Sequence, residues 1–147
     1  MLYIASDHGG FKTKQKIIEF LSDINVEYVD LGPTELNPTD DYPDFAIAAM
    51  KRFEENTGEN KAVLLCRSGV GVNIIANKYK GARCTLSWDE KHTESARVDD
   101  DVNVLAIPSD YVDAETAKNL VSIFLRTKFS NEDRHTRRLE KIREIEL

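Results

Sequence analysis

Residues 63–78 constrain the chain more than any other stretch. Val63-Leu64-Leu65-Cys66 reads as a buried strand, Arg67-Ser68-Gly69-Val70-Gly71 as a glycine-bearing turn, and Val72, Ile75 and Ala76 resume at helical spacing. Cys66 therefore lies between a strand and a helix. Free backbone N–H groups and the positive end of a helix dipole favour an anion there, whether a thiolate or a bound phosphate or enolate.

Other loops of this appearance do not fit. A phosphate-gripping nucleotide loop needs Gly-Lys-Ser/Thr, and Lys78 follows Asn77. A dinucleotide fingerprint finds Gly69 and Gly71 but meets Ile74 where its third glycine belongs. A cysteine-phosphatase loop wants its phosphate-holding arginine where Val72 stands.

The 147 residues make most simply one domain, large enough to bury a core without staples. With 20 basic and 26 acidic residues, the net charge of −6 argues against a nucleic-acid binder. Cys66 and Cys84 do not make a disulfide framework and are expected reduced, with Cys84 read as core. No signal-peptide core and no membrane-length apolar run is visible, so a cytoplasmic protein with no membrane partner is expected.

Strand and helix patterns alternate along the chain. Residues 2–5 read as a strand before Ser6-Asp7-His8-Gly9-Gly10, followed by a helix carrying Phe11, Ile17, Ile18, Leu21 and Ile24. A second strand over 26–31 ends at Gly32-Pro33, and a polar loop through Asn37-Pro38-Thr39-Asp40 leads to a helix opened by Asp41-Tyr42-Pro43-Asp44. Further strands are expected over 82–86 and 103–107, a helix over about 89–98, and a triple acid at Asp99-Asp100-Asp101. Ala117, Leu120, Val121, Phe124 and Leu125 mark another helix, and from about residue 134 a charged helix carries Leu139, Ile142 and Ile145, an apolar seam suited to docking on a second subunit. The pattern predicts an α/β fold: a doubly wound, Rossmann-like parallel sheet of five strands with helices on both faces. Ligands of such sheets bind beyond the carboxyl ends of the strands, which gathers Asp7-His8, the Cys66 turn and the triple acid on one edge.

The ordered set Asp7-His8-Gly-Gly-Phe-Lys, Asp41-Tyr42-Pro43-Asp44, Cys66-x-Ser-Gly-x-Gly, Ala76-Asn77-Lys78, Gly81-Ala-Arg83, Asn103-Val-Leu and Arg134-His135-x-x-Arg138 resembles the B-type ribose-5-phosphate isomerases and the galactose-6-phosphate isomerase subunits. The resemblance implies a cofactor-free, metal-free aldose–ketose isomerase of phosphorylated sugars, active as a homodimer or homotetramer with sites between subunits. It makes Cys66 the base that moves a proton between sugar carbons through an enediolate, with the backbone from Arg67 through Ser68, Gly69 and Val70 to Gly71 as oxyanion cradle. It assigns the phosphate to His8, Arg134 and Arg138, and the sugar to Asp7 and Tyr42. Read as residues alone, Cys66 is equally a small buried hydrophobe, Asp7 a helix cap, and Arg134 and Arg138 part of a basic run facing water.

The chain also departs from that pattern. Asp99-Asp100 stand where the family carries the ring-opening acid histidine and an asparagine, Asp110 where relatives carry a phosphate arginine, and Arg67 where they carry glycine. Asp99 serves as substitute acid only if it is crowded or buried enough to hold a proton, and otherwise belongs to a solvated acidic turn. Arg67 is expected to replace the lost cation, either on the substrate anion or paired with Asp99, Asp100 or Asp110 of a neighbouring subunit. These changes leave open an isomerase of another sugar, or a non-catalytic sugar-phosphate binding protein.

Overall fold

The computed structural model describes residues 1–146. Among these residues five strands and six helices follow in the order β1 (Leu2–Ser6), α1 (Phe11–Asp23), β2 (Tyr28–Asp30), α2 (Tyr42–Glu54), β3 (Lys61–Cys66), α3 (Val70–Ala76), β4 (Cys84–Leu86), α4 (Glu90–Asp100), β5 (Val104–Pro108), α5 (Ala114–Arg126) and α6 (Asp133–Arg143). All pairings are parallel, in the order β2-β1-β3-β5-β4.

Strand alternation distributes the core between two layers. Val63 and Leu65 face α1 and α5, packing with Ile17, Leu21, Leu120 and Phe124. Ala62, Leu64 and Cys66 face α2 and α3, packing with Ala46, Met50, Phe53 and Val72. Successive connections thus leave β1 and β3 toward opposite faces, and the crevice opens between their carboxyl ends. Register brings the two ends level: Ser6 pairs with Leu65 and Cys66 with Pro108.

Some boundaries differ from the sequence expectation. The second and fourth strands shorten to Tyr28–Asp30 and Cys84–Leu86. Arg83 leaves the fourth because its amide bonds the Asn103 side chain at 2.8 Å and its guanidinium bonds the Asp101 carbonyl. The triple acid is not a separate turn. Asp99 and Asp100 complete α4, and Asp101 ends it with φ 45°, its carboxylate shared by Arg83 and Arg97 at 2.9 and 2.8 Å. Among the described residues no helix is long and apolar enough to cross a membrane.

Candidate active site

Cys66 is the last residue of β3 and is buried. Its Sγ accepts a hydrogen bond from the Gly69 N–H at 3.1 Å. Gly69 has φ 72°, and a Cβ there would stand 2.4 Å from Leu86 Cδ1 and 3.1 Å from the Pro108 nitrogen, so no other residue fits this turn unstrained. Ser68 is exposed, and its Oγ accepts the Val70 N–H at 3.4 Å. Gly71 lies against the Tyr42 ring at the start of α2, where a Cβ would meet ring carbons at 2.5 Å. The Cys66 turn and Tyr42 are therefore one assembly. Beside it, Val70, Leu86, Trp88, Pro108 and Tyr111 wall an apolar hollow of about 420 Å³.

The other lip follows β1. Asp7 is buried and accepts the Gly10 N–H at 3.0 Å, so it closes the turn that leads into α1. His8 donates its backbone N–H to Asp40 Oδ1 at 2.9 Å, and its Nδ1 lies 2.7 Å from the same oxygen. That bond raises the His8 pKa above its ordinary 6.5; the Asp7 and Asp40 charges act in the same direction, while burial and the Arg67 charge oppose them. The two lips touch, since a Cβ on Gly9 would lie 2.4 Å from Arg67 Cγ. Asp7, His8 and Asp40 each offer a donor atom within 4.8 Å of the others. The bonds already made, Asp7 to Gly10 and Asp40 to His8, are those of a hydrogen-bonded set, with Nδ1 carrying its proton toward a carboxylate.

Arg67 reaches Asp110, with Nη1 3.7 Å from Oδ2, and the Asp110 N–H bonds the Arg67 carbonyl at 3.0 Å. This Asp110 belongs to the same chain: β3 and β5 are adjacent, so the loops that follow them meet. Both side chains are exposed.

The remaining candidates lie elsewhere in the chain. Asp99 is half-exposed, with Oδ1 3.6 Å from the buried His135 Nε2, whose other nitrogen bonds Ser130 Oγ at 2.7 Å. Asp99 and Asp100 line a separate hollow with Cys84, His92 and Ile142. Arg134 bonds Glu132 at 2.8 Å and Arg138 is exposed. Among the described residues no hydrogen bond or ion pair joins these four to the Cys66 turn. Cys84, expected in the core, is half-buried, and burial of its thiol pushes the pKa up. Asp40 escaped the sequence reading, having passed as one residue of a polar loop; no local pattern marks a carboxylate that folds back on a histidine.

A parallel sheet whose central strand delivers a cysteine into a tight glycine turn, beside the β1–α1 turn that carries Asp7 and His8, defines a doubly wound α/β domain with a candidate catalytic cysteine at its carboxyl edge. The chain belongs to the ribose/galactose isomerase family, whose model matches residues 2–142. It is 41% identical over 141 residues to a probable ribose-5-phosphate isomerase B of Mycoplasma pneumoniae, covering 96% of this chain and 91% of that one. It is 35% identical over 145 residues to the ribose-5-phosphate isomerase B of Mycobacterium tuberculosis, covering 99% and 89%. The crystal structure of ribose-5-phosphate isomerase B from Mycoplasma genitalium with bound ribulose-5-phosphate superposes with a TM-score of 0.93 at 38% identity, over 97% of this chain and 93% of that one.

Proposed function

We propose that the chain interconverts ribose 5-phosphate and ribulose 5-phosphate by proton transfer through an enediolate. The observation that carries this reading is the buried Cys66 thiol, held by the Gly69 N–H at the carboxyl end of the central strand, where the turn carrying Asp7 and His8 meets Leu65 and Arg67. The bound ribulose-5-phosphate of the Mycoplasma genitalium relative supports the substrate.

In this mechanism Cys66 removes the proton on the carbon beside the carbonyl and returns it to the neighbouring carbon. Backbone N–H groups between Arg67 and Gly71 hold the enediolate oxygen, with Ser68 Oγ at its edge. Asp7 and Tyr42 orient the sugar hydroxyls, and His8 meets the phosphate. Arg67 supplies a second cation, tempered by Asp110. Arg134 and Arg138 complete the phosphate grip from a second copy of the chain, and Asp99 and Asp100 approach the sugar from there. Their separation from Cys66 within one chain supports a homodimer or homotetramer, as does the exposure of Ile142 and Ile145 beyond buried Leu139. The reading is of a cytoplasmic enzyme that needs no cofactor.

A second reading follows from Asp99. Asp99 stands half-exposed beside His135 where the family carries its ring-opening acid histidine, which favours a chain that receives sugars already in the open form or acts on a different sugar. Conversion of ribose 5-phosphate by the purified protein, beside Cys66→Ala and a panel of aldose phosphates, decides between them. Turnover lost in the variant supports the proposal; no turnover of any sugar by folded, oligomeric protein replaces it with a sugar-phosphate binding role.

A further inference from the structure

We infer that Asp40 is a positioning residue for His8: its buried carboxylate takes both the backbone N–H and the Nδ1 proton of that residue, which leaves Nε2–H as the donor offered to the substrate's phosphate. The inference rests on the isomerase reading, in which His8 meets the phosphate.

One oxygen, Asp40 Oδ1, receives two groups of the same residue, at 2.9 and 2.7 Å. The first bond fixes the backbone where β1 gives way to α1, and the second fixes the ring. Because a carboxylate accepts and does not donate, the ring proton on this side sits on Nδ1, and the catalytic crevice is left with the other nitrogen. The Asp40 side chain is only 6% exposed, although it belongs to a polar loop, and its Oδ2 is buried without a hydrogen-bond partner. A carboxylate so placed is costly unless a cation faces it, and His8 is the group within contact. The charged groups acting on His8 are Asp7 beside it, Asp40 from the loop before α2, and Arg67 from the turn after β3. The two acids hold the proton on; Arg67, itself drawn toward Asp110, pushes it off.

Phosphate is gripped by His8 while the imidazole is doubly protonated, so the His8 contribution to affinity is full below its raised pKa and is lost as pH rises through it. Asp40→Asn keeps an accepting oxygen and removes the charge. It therefore shifts the fall in affinity to lower pH without dismantling the loop.

The test follows the ring signals of the three histidines of the full chain by NMR across pH, with His8 assigned by its loss in His8→Gln, in the native protein and in Asp40→Asn. Inorganic phosphate is titrated into both, and KM and kcat for ribose 5-phosphate are measured in parallel. We expect His8 in Asp40→Asn to titrate nearer its ordinary value, phosphate affinity near pH 7.5 to weaken about fivefold, and KM to rise by a similar factor with kcat held within about twofold. Asp40→Ser serves as the second variant if thermal melting shows Asp40→Asn unfolded. An unchanged His8 titration, or unchanged phosphate affinity, overturns the role of Asp40 while sugar turnover by the native chain still upholds the isomerase. Absence of turnover in the native chain overturns the isomerase reading alone, because the phosphate titration still decides on Asp40.

Discussion

The Gly69 N–H points at the Cys66 sulfur from 3.1 Å, and the turn that aims it depends on a φ of 72° at Gly69. A side chain there meets Leu86 Cδ1 and the backbone of Pro108 and Ile107 as well as the left-handed strain. Gly69→Ala should cost about 2 kcal/mol of stability. It should also lower kcat by more than about tenfold, because the cradle and thiol lose their alignment. Urea denaturation and steady-state kinetics measure the two effects separately, and a variant with native turnover would show that the turn does not serve catalysis.

Removing the sulfur itself separates chemistry from fold. The Cys66 side chain is small and belongs to the same buried cluster as Ala5, Ala106 and Val72, so Cys66→Ala should melt within a few degrees of the native protein. Its kcat should fall at least about a hundredfold, while binding of ribose 5-phosphate, read by calorimetry, persists. A Cys66→Ala protein that still isomerises would move the base elsewhere.

Gly71 provides the complementary experiment. It lies inside α3, where alanine is favoured over glycine by about 1 kcal/mol, so Gly71→Ala does not weaken the helix by propensity. Its methyl would displace the Tyr42 ring, now within 2.5 Å of the ideal Cβ position. KM should rise about fivefold with stability within about 1 kcal/mol of native. Unchanged KM would place Tyr42 outside the sugar site.

The Arg67–Asp110 pair is a screened surface contact, 65% and 50% exposed, and contributes little to stability. In the proposed site its effect would fall on the substrate anion. Asp110→Asn should release Arg67 and lower KM about threefold at low ionic strength, with the gain shrinking in about 0.5 M salt. Arg67→Ala should raise KM. A salt-independent response in both variants would show that neither charge reaches the phosphate.

Lys14 tests how the lip of β1 is held. Fully buried, it places Nζ 2.6 and 2.7 Å from the Asp30 oxygens and 2.8 Å from the Pro33 carbonyl. Asp30 in turn accepts the Gly32 N–H, and the Gly32 carbonyl accepts the Ser6 N–H next to Asp7. Lys14→Met leaves the Asp30 charge unpaired and should cost about 3 kcal/mol, while Lys14→Met with Asp30→Asn should recover part of it. A double-mutant cycle in urea reads the coupling.

The strand–turn–helix around Cys66 was legible from the chain because its signals are local. An apolar run, two glycines and renewed helical spacing each concern neighbours in sequence. Alternation of strands and helices likewise implies the parallel sheet, and the rule for its carboxyl edge brings the Asp7-His8 turn and the Cys66 turn to one side. The triple acid misled because α4 carries few apolar residues to mark its end; Asp101 stops it through Arg83 and Arg97, and Arg83 comes from beyond the helix.

What the amino-acid sequence determined by itself was the order of elements, the two faces of the sheet and the chemistry available at one edge. Only the tertiary structure decided which side chains meet there. Asp40 reaches His8 across thirty-two residues, and Arg67 finds Asp110 in its own chain because β3 lies beside β5. Periodicity is enforced by each residue's near neighbours, whereas such pairings depend on strand order and on how the loops close over it. No pattern of period two or 3.6 records that information.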